Sequence, residues 1–193
     1  HLVDIDPENL TVASNVVRRM IELKQAPITL TASTDRRESL PQADVIVCTF
    51  GVGGRRAWEQ DVFIPRQFGL FQPVGDSVMP GGISRAMRQI PVAVDIVQDV
   101  EELCPNVLVI NYANPMTAIV RAMRAASRVR VLGLCHGVIH VQGYLADLAK
   151  VPVDELSLTA IGVNHCTWIT DVRHRGQTLW PLIEKELVLH PPE

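Results

Sequence analysis

Short, nearly continuous apolar runs recur along the chain, and between them apolar positions return every three or four residues. The runs "PITLTAS", "ADVIVCTF", "VLVINY", "VRVLGL" and "LSLTAIGVN" predict strands, those without alternation being the mark of parallel strands buried on both faces. The intervening stretches predict helices over 7–24, near 58–68, over 83–104 with a break or kink at Pro91, over 115–127 and over 138–150. Such alternation of strand and helix predicts an α/β fold, a doubly wound parallel sheet of Rossmann-like type. From Thr167 the pattern changes to "TWITDVRHRGQTLWP", which predicts a hairpin turning near Arg175 and Gly176. The expected division is a nucleotide-binding domain over 1–166 and the start of a C-terminal substrate domain over 167–193.

The opening "HLVDIDPENL" sharpens this picture. Asp6 suits a helix N-cap and Pro7 the first helical position, where no backbone N–H is required. Asp4 then stands at the end of a strand. In a dinucleotide-binding unit an acidic residue there, about 20 residues after the glycine-rich turn, accepts hydrogen bonds from the ribose hydroxyls and selects NAD over NADP. The other reading of Asp4 is an ordinary loop or capping residue. On the nucleotide-binding reading, the first strand and its glycine turn are expected upstream of His1. The later "GVGGRR" is only a partial fingerprint, with Arg56 where the third glycine belongs.

Composition narrows the classes of function. The 193 residues are 47 % apolar, enough for a packed core, and carry a net charge of −3 with no basic stripe of the kind that binds nucleic acid. No apolar run reaches the ~18 residues that a membrane-spanning helix needs. Cys48, Cys104, Cys135 and Cys166 lie within or beside apolar runs with no CxxC pair, which suits a reducing, cytoplasmic setting.

In an open α/β sheet the ligand lies off the carboxyl ends of the strands. Asp4, Thr49, Asn111 to Asn114, Cys135 with His136, and Asn164 with His165 all fall at such ends, so separate loops converge on one crevice. Cys135 in "GLCHG" and His165 in "GVNHCTW" are the pair with metal chemistry: thiolate and imidazole both bind divalent transition ions, and two protein ligands leave positions open for a substrate. Their bland reading is a small core residue and a hydrogen-bonded strand end. His136 is either a proton donor beside that pair or plain polar surface. His140 and His174 have no partner that sequence identifies. Met87, Met116 and Met123 fit core positions.

Taken in order, "GDSVMPGG", "RAMRQIP", "INYANPM", "GLCHG" and "GVNHCTWI" resemble glycoside hydrolase family 4, and the resemblance runs over practically the whole chain. It implies an enzyme dependent on NAD and on a divalent metal, usually manganese. Hydride leaves sugar C3 for NAD, the C2 proton becomes acidic, a base removes it, the aglycone is eliminated, and water and hydride are then returned. This route lies outside the usual two-carboxylate scheme of glycosidases. By the same resemblance Cys135 and His165 are the metal ligands, and Asp4, Thr49 and Asn114 bind the cofactor. Arg56, Asn114 and Asn164 face the substrate, with Asp61 a weaker addition. His136, Asn114 and Asp76 are the catalytic candidates, Asp76 and the "PGG" backbone belonging to a sugar or cofactor loop. The tyrosine that acts as C2 base is expected beyond Glu193. His136 directly after the cysteine implies an unphosphorylated α-glycoside: an α-galacturonide, α-galactoside, α-glucoside or α-glucuronide. A homodimer or homotetramer is expected, without nucleic acid or membrane partners. The rival readings are an NAD-dependent 2-hydroxy acid dehydrogenase and a truncated, non-catalytic nucleotide-binding module.

Overall fold

The computed structural model describes residues 1–72 and 74–190. Strand β1 (Leu2–Val3) leads into helix α1 (Pro7–Lys24), whose start is built as its residues dictate. The Asp6 carboxylate accepts from the backbone N–H groups of Glu8 and Asn9 at 2.9 and 3.1 Å, and Gln25 closes the helix at φ 48°. Strand β2 (Ala32–Ser33) pairs parallel with β1. After a short helix α2 (Arg36–Ser39), strand β3 (Val45–Cys48) begins a second parallel sheet with β4 (Leu108–Asn111) and β5 (Arg130–Gly133), in the order β3-β4-β5.

Between β3 and β4 lie α3 (Gly54–Gln67) and the long α4 (Met79–Leu103). Two expectations are corrected here. Helix α3 starts four residues before the expected 58, and α4 starts at Met79 with Gly81 and Gly82 inside its first turn rather than in a loop before it. Pro80 occupies the first turn, where a missing N–H costs nothing. Pro91 does not interrupt α4, although its nitrogen cannot donate to the carbonyl four residues back. The glycines at 81 and 82 serve close packing: a Cβ on Gly81 would come within 2.6 Å of the Asp61 carbonyl oxygen, and one on Gly82 within 2.5 Å of the Ser77 backbone. The "PGG" segment is thus pressed against α3 and the preceding loop.

One face of α4, with Ala93, Val97 and Val100 at helical spacing, packs with Ile119 and Met123 of α5 (Met116–Ala126) and with Val109 and Val131 of the sheet. Truncating a fully buried side chain such as Met123 to Ala costs about 2–5 kcal/mol. The other face of the sheet departs from expectation. Val45 and Val47 are 53 % and 55 % exposed, so β3 buries only Ile46 and Cys48 to any degree. The continuous apolar run predicted cover on both faces, and helices cover one.

Helix α6 (Gly137–Ala149) follows β5, and then the architecture changes. Strand β6 (Leu156–Val163) was expected to extend the parallel sheet, but it pairs antiparallel with β7 (Cys166–His174), which pairs in turn with β8 (Gln177–Thr178). The turn at Arg175 and Gly176 falls where the sequence predicts it. A second core forms from Leu145 and Ala146 of α6, Leu156, Val172 and Ile183 of α7 (Trp180–Leu189). The expected domain division after residue 166 falls inside the β6-β7 hairpin. No helix of the described residues is long and apolar enough to cross a membrane.

Candidate active site

Parallel register brings the strand ends level. Cys48 lies opposite Asn111, and Asn111 opposite Gly133, so the segments after β3, β4 and β5 leave one edge together. Two further hydrogen bonds, Tyr112 N–H to the Cys48 carbonyl at 2.9 Å and Leu134 N–H to the Asn111 carbonyl at 3.0 Å, carry that register past the strands. Asn111, 0 % exposed, donates to the Ala113 carbonyl at 2.9 Å and accepts from its N–H at 3.3 Å, which shapes the turn that presents Asn114.

The β6-β7 hairpin comes to this edge from the antiparallel sheet and its core. Its tip, Asn164 and His165, joins β6 to β7, with His165 at φ 61°. A residue with φ above zero in a two-residue turn is most often glycine, so the imidazole is carried on a backbone that disfavours it. The Asn164 N–H donates to Thr117 Oγ1 at 3.3 Å, which pins the tip to the start of α5. Gly162 lies at φ 139°, and a Cβ there would come within 2.3 Å of the Cys166 carbonyl oxygen.

Held in this way, Cys135 and His165 meet: Sγ lies 3.5 Å from Nε2. Two ligands bound at ~2.3 Å (sulfur) and ~2.1 Å (nitrogen) to one ion, at an angle between right and tetrahedral, lie about 3.1–3.6 Å apart, so the pair suits a shared divalent ion. The Gly137 N–H at the start of α6 donates to Sγ at 3.3 Å, at a helix end that favours negative charge. On the far side of the imidazole, Nδ1 is buried without a hydrogen-bond partner and lies 3.5 Å from Asp76 Oδ1. Asp76 Oδ2 accepts from the Asn114 amide at 2.9 Å. Among the described residues no three His, Cys, Asp or Glu side chains converge as a ready-made cage. The donor set is one thiol and one imidazole, with a carboxylate behind it.

Other sequence candidates fall elsewhere. Asp4 is exposed after β1, and one of its oxygens accepts from the Asp6 N–H at 2.9 Å; Thr49 is exposed just past β3. His136 occupies the cap position of α6, exposed, with its ring 4.6 Å from that of His140, outside the contacts that join Cys135, His165, Asp76 and Asn114. Arg56 lines a shallow groove on the outside of α3 with Glu59, Phe63 and Gln67 and is not brought into that cluster. Asp61, the weaker substrate-side candidate, is turned to Arg88 instead. It is 4 % exposed and takes both Arg88 Nη atoms, at 3.0 and 2.6 Å, and this bond holds the Arg88 guanidinium above its ordinary range. His174 does have a partner: it and Arg175 bond to Glu155, and Arg175 first and then His174 hold that carboxyl below its usual range.

Sequence reasoning missed the support beneath the site. Gln89 of α4, 0 % exposed, accepts from the Val52 N–H at 2.9 Å and donates to the Phe50 and Asn114 carbonyls, each at 3.2 Å. Arg85 Nε donates to the same Asn114 carbonyl at 3.0 Å. The available signal was a glutamine at a buried position of an amphipathic helix, since a buried amide must find partners.

A parallel α/β core of Rossmann-like type, whose strand-end loops gather a cysteine and a carboxylate against a histidine from the hairpin tip, defines the class of fold and site. The particular family follows from comparison: residues 1–151 match the family 4 glycosyl hydrolase model, and the chain belongs to that family. An α-galactosidase of Rhizobium meliloti (strain 1021) is 37 % identical over 177 residues, 91 % of this chain and 36 % of the relative. An α-galacturonidase of Thermoanaerobacterium saccharolyticum is 39 % identical over 146 residues, 72 % of this chain and 31 % of the relative. In fold, the chain is similar to a 6-phospho-alpha-glucosidase from gut microorganisms, solved in complex with NAD and Mn2+, with a TM-score of 0.89 at 23 % identity over 98 % of this chain and 44 % of that one. The chain thus spans about a third to under half of the length of these proteins. Membership in the family favours the hydrolase over the dehydrogenase reading.

Proposed function

We propose that this chain is the NAD- and metal-binding portion of a glycosidase acting on an unphosphorylated α-hexoside or α-hexuronide, among them α-galacturonides, α-galactosides, α-glucosides and α-glucuronides. The single observation that carries the reading is the approach of Cys135 Sγ to His165 Nε2 at 3.5 Å, on a fold whose strand ends form the ligand edge. Supporting it are the family's named relatives, which include an α-galactosidase and α-galacturonidases, and His136 in the position after the metal cysteine. When bound, NAD takes up and returns a hydride, and the divalent ion draws charge from neighbouring sugar oxygens.

The chain's own residues then have distinct tasks. Cys135 and His165 hold the ion. Asp4 accepts from the adenosine ribose hydroxyls with the oxygen that Asp6 leaves free, and Thr49 lines the same side. Asn114 would lie beside the substrate and the nicotinamide, its backbone carbonyl fixed by Arg85 and Gln89. Asn164 Oδ1, buried without a partner, is an acceptor for a sugar hydroxyl. His136 donates a proton to the leaving oxygen, and Arg56 makes an outer contact.

The test is turnover of nitrophenyl α-glycosides in D2O, with NAD, Mn2+ and reductant each omitted in turn. Deuterium at C2 of the product, lost when either NAD or Mn2+ is withheld, is the expected result. A two-carboxylate glycosidase leaves that C–H bond intact, so a full C2 proton signal from an active preparation overturns the proposal.

A further inference from the structure

We infer that Asp76 is a positioning residue: it sets which nitrogen of His165 faces Cys135 and which way the Asn114 amide points. This rests on the reading of Cys135 and His165 as metal ligands. The loop before α4 brings Asp76 to the place where the β4 loop and the hairpin tip cross. One carboxylate serves both: Oδ2 accepts from Asn114 Nδ2 at 2.9 Å, while Oδ1 lies 3.5 Å from His165 Nδ1 and accepts from Ser77 Oγ at 2.8 Å.

The chemistry of each partner makes the arrangement directional. A carboxylate has only acceptors, so the imidazole side facing it must carry the proton. That leaves the lone pair on Nε2, the nitrogen 3.5 Å from Cys135 Sγ. Nδ1 makes no hydrogen bond in this structure, and Asp76 Oδ1, 3.5 Å away, is the carboxylate oxygen placed to select the tautomer. The same reasoning fixes Asn114: its NH2 faces Asp76, and its side-chain carbonyl is left as the free acceptor. Metal-binding histidines characteristically give their second N–H to a carboxylate, which orients the ring and raises its basicity. The hairpin makes such support necessary, because His165 sits at φ 61° and Thr117 holds the tip through the neighbouring Asn164 backbone, not through the imidazole.

The experiment titrates the NAD-loaded protein with Co2+, following the thiolate-to-metal absorption band and the heat of binding, beside thermal unfolding without metal. Asp76→Asn keeps the shape but can offer an NH2 where an acceptor is required. We expect it to weaken Co2+ binding about 10-fold, and Asp76→Ala about 10–100-fold, with the charge-transfer band displaced and metal-free unfolding within about 2 °C of the parent. Asp76→Glu should recover part of the affinity. If Asp76→Ala fails to fold, the isosteric Asn variant decides alone. Parent-like affinity and spectrum in Asp76→Asn, with binding abolished in Cys135→Ser, overturns the role of Asp76 and leaves the metal pair standing. Parent-like binding in Cys135→Ser and His165→Ala as well removes the metal reading and this inference together.

Discussion

The strand-end loops of the parallel sheet and the tip of the β6-β7 hairpin supply the same site, yet they are held in opposite ways. Beneath the sheet loops buried side chains hold the backbone and the helices: Asn111 closes its own turn, Gln89 spans the Phe50–Val52 segment and Asn114, and Asp61 locks α3 to α4 through both Arg88 Nη atoms, with only Arg88 Nε of these groups left without a partner. At the hairpin tip the backbone is at positive φ, and Asn164 Oδ1 and His165 Nδ1 lack hydrogen-bond partners. Rigid support belongs to the loops that would carry the cofactor. At the tip that brings His165, two neighbouring side chains keep unspent polar capacity, as expected where strain and unpaired atoms persist for a ligand's sake.

If this contrast is right, substitutions in the sheet body change stability, and those at the tip change metal binding. The largest effect is expected at Asp61. Asp61→Ala leaves the Arg88 guanidinium, part-exposed and still bonded to Ser84, without its carboxylate and should destabilise the protein by about 3 kcal/mol in denaturant unfolding. A loss under about 1 kcal/mol would show that the pair is not holding the two helices.

Next comes Cys48, where burial pushes the thiol up to about 11. The unfolded chain loses this proton near the ordinary value of 9.0 and the folded chain later, so the folded state binds more protons between those values. Stability therefore falls as pH rises through this window, by an amount on the order of 2–3 kcal/mol. Cys48→Ala should flatten that alkaline limb while lowering stability at neutral pH. An unchanged slope would mean that other groups produce it.

The smallest change in stability is expected at the tip, with the opposite sign. His165→Gly relieves the positive φ and should raise stability by about 1 kcal/mol or leave it level, while removing Co2+ binding. A destabilised protein would mean that the imidazole packs as an ordinary structural side chain and that the two regions do not differ in this way.

Much of this was legible in the chain itself. The Asp6 cap and Pro7 start are local matters, settled within one helical turn, and they stand where the sequence puts them. Strands β3, β4 and β5, the turn at Arg175 and the order of family motifs are likewise readable from short-range pattern. Pairing was not. "LSLTAIGVN" has the composition of a parallel strand, and only the tertiary structure turns it into half of an antiparallel hairpin, because strand propensity says nothing about the partner's direction.

The same limit governs the site. Sequence alone determined that Cys135 and His165 stand at the ends of apolar runs, with residue types able to bind metal, and the motif order tied them to one family. Tertiary structure decided that the two side chains meet across 30 residues, that Asp76 lies behind the imidazole, and that Asp61 belongs to Arg88 rather than to a substrate. Periodicity records which face of an element is apolar. Which polar atom finds which partner depends on how the elements pack, and here that packing makes one carboxylate a structural clamp and leaves the other beside the Cys135–His165 pair.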